Sequence, residues 1–166
     1  FISEKIRKVL LDKNLTQMDP RTEALLMIAS RAQLTKEIII PKLETGCVII
    51  SDRYIDSTIA YQGGGRGLSI DLLDKINNFA TYELKPDITF LIDLSSKLAS
   101  NRRKKSELDR IEKVGNKFQE QVRDQYLKLA SKNKKRFVTL DGKPTAEYIH
   151  NIIWNTFNIA IKKRKI

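Results

Sequence analysis

Residues 51–68 read Ser51-Asp52-Arg53-Tyr54-Ile55-Asp56-Ser57-Thr58-Ile59-Ala60-Tyr61-Gln62-Gly63-Gly64-Gly65-Arg66-Gly67-Leu68. They follow the apolar run Cys47-Val48-Ile49-Ile50, and 47–51 is predicted to be a strand buried on both faces, as parallel strands are. Asp52 and Arg53 would then stand at the carboxyl end of that strand, where open α/β sheets bind their ligands. An arginine there can grip a phosphate through two parallel hydrogen bonds, and an aspartate can hold a hydrated magnesium ion. A helix expected over 53–62 turns Ser57, Tyr61 and Gln62 toward the same cleft. A strand-end salt bridge followed by an ordinary helix and turn would explain Asp52 and Arg53 alone. It leaves unexplained why so many polar and glycine positions coincide.

Outward from this stretch, strand and helix signals alternate. Apolar residues at near-helical spacing predict a helix over 2–11. Asp19-Pro20 reads as an N-cap with proline at the first helical position, opening a long helix that ends near Pro41 and Gly46. A helix over 69–82 follows the glycine run, and Ile88–Ile92 is predicted as a second buried strand ending at Asp93. Residues 95–108 are polar, basic and expected to be mobile. Asp109-Arg110-Ile111-Glu112 reads as a capping box for a helix reaching about 131. Arg136–Leu140 is a third strand, and Pro144 opens a last helix, in which Trp154 and Phe157 are expected in the core. This alternation predicts an α/β fold: a parallel sheet flanked by helices in three layers, one domain over 1–166.

Composition agrees. The 166 residues are 41% hydrophobic and 31% charged, the balance of a folded domain with its own core. No apolar stretch is long enough to span a bilayer. The single Cys47 excludes an internal disulfide and fits a reducing, cytoplasmic setting. A net charge of +11 points to a polyanionic partner without choosing among nucleotides, nucleic acid and an acidic surface.

The segment 51–68 resembles that of the thymidylate kinase family, in which Asp-Arg-Tyr/His runs on into Ala-Tyr-Gln-Gly-x-x-Arg-Gly. Thr22-Glu23 with Ala29, Arg31, Gln33 and Pro41 is similar to the family's long helix. Pro86-Asp87-Ile88-Thr89 is similar to its Pro-Asp-x-Thr strand, and Glu107–Glu112 to the end of its lid. The resemblance implies a nucleoside monophosphate kinase of the P-loop type that uses ATP and magnesium to convert dTMP to dTDP, and a homodimer. It implies that Arg53 holds the acceptor phosphate, Arg31 and Gln62 read the base, Tyr61 crowds the place of a 2′-hydroxyl, and Ser57 lines the pocket. Asp52 would hold magnesium. Arg103, Lys105 and Arg110, in or beside the 95–108 lid, would neutralise charge on the transferring phosphate.

Two departures stand out. The family's base-stacking phenylalanine, four residues before the arginine, is Met27, whose polarizable sulfur can still lie against a ring. The opening strand, the Gly-x-x-x-x-Gly-Lys-Ser/Thr loop and the Arg-Glu-Pro segment have no counterpart in these residues. With Phe1 in place of an initiator methionine, the chain reads as the C-terminal portion of such an enzyme. The alternatives are another nucleoside or nucleotide kinase, or a non-catalytic basic module binding nucleotides or nucleic acid. A chain without the phosphate loop is expected not to transfer phosphate, because backbone amides and a lysine must cradle the donor. Incubation with ATP, magnesium and dTMP checks this: no dTDP is expected, and formation at an ordinary rate would refute it.

Overall fold

The computed structural model describes residues 1–102 and 109–164. In chain order these form α1 (Ile2–Leu11), α2 (Pro20–Leu34), α3 (Ile40–Glu44), α4 (Ile55–Thr58), α5 (Ile70–Ala80), β1 (Thr89–Asp93), α6 (Ser96–Arg102), α7 (Asn116–Lys132), β2 (Phe137–Asp141) and α8 (Ala146–Arg164). Two π-helical stretches, Thr35–Ile39 and Ile59–Gly65, extend α2 into α3 and prolong α4. β1 and β2 pair in parallel, with Thr89 opposite Phe137 and Asp93 opposite Asp141. The architecture is therefore α/β with a parallel sheet, as the alternation of elements predicts.

The long helix begins as expected: the Asp19 side chain accepts hydrogen bonds from the amides of Arg21 and Thr22, and Pro20 occupies the first turn. Three other expectations need correction. The run 47–51 is not a strand. It has no ladder partner among the described residues, and Val48 and Ile50 are 52% and 91% exposed. An extended apolar segment becomes a strand only when a neighbour satisfies its amides and carbonyls, so the described sheet has two strands where three were expected. Cys47 is accordingly exposed rather than buried. Asp109 accepts a hydrogen bond from the Ile111 amide, but the helix does not start there. A short 3₁₀ turn (Glu112–Val114) comes first, and α7 begins after Gly115, whose φ of 109° breaks the path. Trp154 is half exposed and stacks between His150 and Phe157 along α8, so it is no core residue.

The hydrophobic core has two parts, divided by the stretch that contains α4 and its π-helical continuation. On one side Ile59 packs with Ala24, Ile28, Leu73 and Ala80. On the other, Ala60 packs with Ile111, Phe118 and Val122, bordered by Leu11, Met27, Tyr61 and Tyr126. Two adjacent core residues thus face opposite partners, α2 and α5 on one side and α7 on the other. The close approach of α7 requires Gly64 and Gly65. A Cβ on either would strike Gln125 or the Phe118 ring, and this gives a physical reason for the glycine run.

One buried carboxylate ties these layers together. Glu23, fully buried on α2, meets Arg66 Nη2 at 2.9 Å and Arg110 Nη2 at 2.8 Å. Arg66 Nε also donates to it at 3.1 Å, as does Gln62 Nε2. Arg66 lies over the Phe118 ring, 4.7 Å from its centroid, and Arg110 Nε donates to the Leu10 carbonyl at 3.1 Å. At the foot of the sheet, Arg136 holds Asp56 through two 2.7 Å hydrogen bonds and reaches Thr89, joining α4 to the start of both strands.

Removing one partner of a buried ion pair strands the other charge, at about 3–5 kcal/mol. Glu23→Ala is therefore expected to lower unfolding stability by about that amount in urea titrations. Burial alone would raise the Glu23 pKa, but the hydrogen bonds from Arg66 and Gln62 outweigh it and hold the carboxyl below its ordinary 4.5. A lowered folded-state pKa gives stability that is present above pH 4.5 and lost as pH falls through the lower value. The stability difference between the parent and Glu23→Gln should therefore shrink on acidification below pH 4.5. A difference independent of pH there contradicts this assignment.

Candidate active site

Arg53 sits where the chain enters α4, and its backbone is unusual. Its φ is 68°, a left-handed conformation that L-residues avoid. The Ser51 hydroxyl donates to the Arg53 carbonyl at 2.8 Å and helps to hold the turn. Strain of this kind, borne by an arginine where a glycine would be easier, concentrates at functional sites. The guanidinium lies over the Tyr61 ring, 4.9 Å from its centroid. Desolvation beside the rings works against its charge. The oxygens of Tyr61 and Tyr126, with Asp52, more than restore it, so its pKa lies above the ordinary value.

Arg31 approaches from α2. Its Nη1 donates to Thr58 Oγ1 at 2.6 Å and to Asn77 Oδ1 at 3.1 Å, and its guanidinium lies 5.7 Å from the Tyr54 ring centroid. No carboxylate pairs with it directly among the described residues. Burial accordingly lowers its pKa to about 10, although the nearby oxygens of Tyr54, Tyr126 and Asp56 counteract this. A desolvated cation without a counter-ion is a strong donor toward an incoming acceptor atom.

Tyr126 joins Ser57 to the Tyr61 ring on which the Arg53 guanidinium lies. It comes from α7, and its hydroxyl shares a 2.6 Å hydrogen bond with the Ser57 hydroxyl. Burial pushes its pKa up to about 12, and the Ser57 hydrogen bond and the Arg53 charge only partly offset this. The phenol is thus a neutral hydrogen-bonding group at physiological pH. Tyr61 meets Tyr126 and Phe118 edge to face at 6.3 and 6.0 Å, and Met27 packs against this aromatic group. Four expected residues, Met27, Arg53, Ser57 and Tyr61, therefore surround one aromatic cluster, while Arg31 lies against Thr58 and the Tyr54 ring.

Other expected residues lie elsewhere. Gln62 is 1% exposed and turned to Glu23, and its Oε1 has no hydrogen-bond partner. Arg110, expected among the cations that close on the donor, is buried against Glu23, Leu10 and Met18. Arg103 and Lys105 lie outside the described residues. Asp52 is exposed beside Arg53. An open hollow of about 590 Å³ lies past the carboxyl ends of β1 and β2, lined by Asp93, Leu98, Arg123, Asp141 and Lys143. Arg123 grips Asp93 at 2.6 Å on its wall.

Sequence reasoning missed Tyr126, Thr58, Asn77 and the full part of Glu23. Tyr126 falls at a four-residue interval after Phe118 and Val122, so periodicity marks it as core. Asn77 and Thr58 carry no local signal, because only the packing of α5 and α4 onto α2 brings them to Arg31.

Comparison with known proteins shows the family. The family model described as "Thymidylate kinase" matches residues 1–153. The chain is 47% identical to a thymidylate kinase of Thermosipho melanesiensis over 153 residues, covering 92% of this chain and 75% of that protein. It is 48% identical over 142 residues to a thymidylate kinase of Thermosipho africanus, covering 86% and 70%. The crystal structure of thymidylate kinase from Ehrlichia chaffeensis superposes with a TM-score of 0.74 at 30% identity, covering 95% of this chain and 74% of that one. Matched by that family model over residues 1–153 and by relatives along most of its length, this chain belongs to the thymidylate kinase family.

Proposed function

We propose that the cluster around Tyr126 is the acceptor site for dTMP, which is converted to dTDP at the expense of ATP. The observation that carries this reading is that two guanidinium groups, Arg31 from α2 and Arg53 from the turn before α4, meet side chains three residues apart, Thr58 and Tyr61. Arg53, strained at the mouth of α4, meets the acceptor phosphate. Arg31, partly buried and without a counter-ion among the described residues, donates to the base. Tyr61 and Met27 flank the sugar and the ring, and Ser57 and Tyr126 supply hydroxyls to the pocket wall. Gln62 supports the pocket from behind through Glu23.

In the reaction an acceptor phosphate oxygen attacks the γ-phosphorus of ATP. The bond from the γ-phosphorus to the bridging oxygen breaks, and ADP leaves with that electron pair. The acceptor is already anionic, so no side-chain base is needed. The protein contributes positioning and charge neutralisation. The hollow beyond β1 and β2 suits the donor by its position at the carboxyl end of the sheet. Arg103 and Lys105 belong to this reading as donor-side cations, and Arg110 as an anchor held by Glu23.

Magnesium belongs to it as well. No group of three His, Cys, Asp or Glu side chains is arranged to hold a metal ion among the described residues. A magnesium ion bridging phosphates needs no such group, since it keeps most of its waters and takes one or two carboxylates. Asp52 is the residue that fits it, and the ion would spread the charge of the phosphates. A homodimer is part of the same reading, with Leu25, 57% exposed on α2, an apolar position that such an interface would cover.

The test is binding of dTMP by calorimetry with Arg53→Lys. Lysine keeps the charge but loses the two-pronged grip, so affinity is expected to fall about tenfold to a hundredfold, the worth of one or two charge-assisted hydrogen bonds. Unchanged affinity removes Arg53 from the acceptor site.

A further inference from the structure

Arg31 is held on one side only. Nη1 makes both of its hydrogen bonds, to Thr58 Oγ1 and Asn77 Oδ1, while Nη2 and Nε make none among the described residues. Asn77 itself is fully buried on α5. Its Nδ2 donates to the Ile55 carbonyl at 3.3 Å. A carbonyl can only accept, so this contact settles which end of the amide is which: Oδ1 must face Arg31. Held at Oδ1 by Arg31 and at Nδ2 by the Ile55 carbonyl, the side-chain amide has little freedom to turn.

We infer that Asn77 is a positioning residue for acceptor recognition. It pins Nη1 of Arg31 through an amide whose polarity the Ile55 carbonyl dictates, and leaves Nη2 and Nε to meet the base. This rests on the reading of Arg31 as the base contact. It adds a coupling between elements: Ile55 opens α4, just past Arg53, so one amide registers the base-binding arginine of α2 against the segment that carries the phosphate-binding one. Held so, the two guanidinium groups keep a fixed separation, and acceptors that span it are favoured over those that do not.

The experiment compares dTMP with 2-deoxyribose 5-phosphate, which offers Arg53 a phosphate and offers Arg31 nothing. Dissociation constants for both are measured by NMR titration for the parent chain, Asn77→Leu, Asn77→Ala and Asn77→Asp, each first shown to melt cooperatively. The parent should bind dTMP more tightly. Asn77→Leu and Asn77→Ala should each lose about tenfold of that preference, the order expected for one hydrogen bond to a charged group. Affinity for the sugar phosphate should stay within about twofold. Asn77→Asp keeps an acceptor toward Arg31 but sets an oxygen in place of the donor to the Ile55 carbonyl, so it should lose the preference as the Leu and Ala variants do. A generally loosened fold would weaken both ligands alike. An undiminished preference in a folded Leu or Ala variant, or equal loss of both ligands, overturns the inference. A parent chain with no preference at all refutes the base contact of Arg31 instead.

Discussion

Glu23 is the group on which the arrangement of layers depends. A carboxylate with no solvent exposure is costly unless its charge is met, and two guanidinium groups meet it from different directions. Arg66 brings the end of the π-helical segment, Arg110 brings the chain just before α7 and, through the Leu10 carbonyl, α1. Hydrophobic packing alone would allow these helices to slide, since apolar contacts have no direction. Fixed donors and acceptors do not slide, so the ion cluster gives the core its register.

That register matters because the proposed acceptor site is assembled from several elements. Arg31 lies on α2, Arg53 in the turn before α4, Tyr61 in the π-helical stretch and Tyr126 on α7. None of these side chains is close to all the others in sequence, and a shift of α7 by one residue would turn Tyr126 from Ser57. The π-helical geometry itself takes part. Over Ile59–Gly65 it lets Ile59 and Ala60 bury against opposite neighbours, while Gly64 and Gly65 admit α7 closely enough for Tyr61 to touch Phe118 and Tyr126. Departures from α-helical geometry of this sort are frequent at functional sites.

Much of this was legible in the residues themselves. The Asp19-Pro20 start, the helices over 2–11 and 69–82 and, to within a residue, the strands expected over 88–92 and 136–140 follow from caps and periodicity. Ser57 and Tyr61 could be placed beside Arg53 from helical spacing, and Met27 and Arg31 only through the family resemblance. The failures share one cause. Cys47–Ser51 has every local property of a strand, yet pairing is a relation between two segments, and no second segment borders it among the described residues. Trp154 and Phe157 have core-like spacing, yet spacing shows which residues share a face and not what covers that face. Arg110 looks like a free basic residue until Glu23 comes to it from 87 positions away. In the same way, the environments of Tyr126 and Asn77 are tertiary facts.

The account stands on one geometric statement: a single acceptor nucleotide bridges Arg53 and Arg31. A crystal structure of this chain with dTMP tests it most directly. The account predicts one nucleotide with its phosphate on the Arg53 guanidinium, its base within hydrogen-bonding distance of Arg31, and its sugar beside Tyr61. A nucleotide that touches only one of the two arginines, or one seated in the hollow beyond β1 and β2 with both arginines unoccupied, would contradict it.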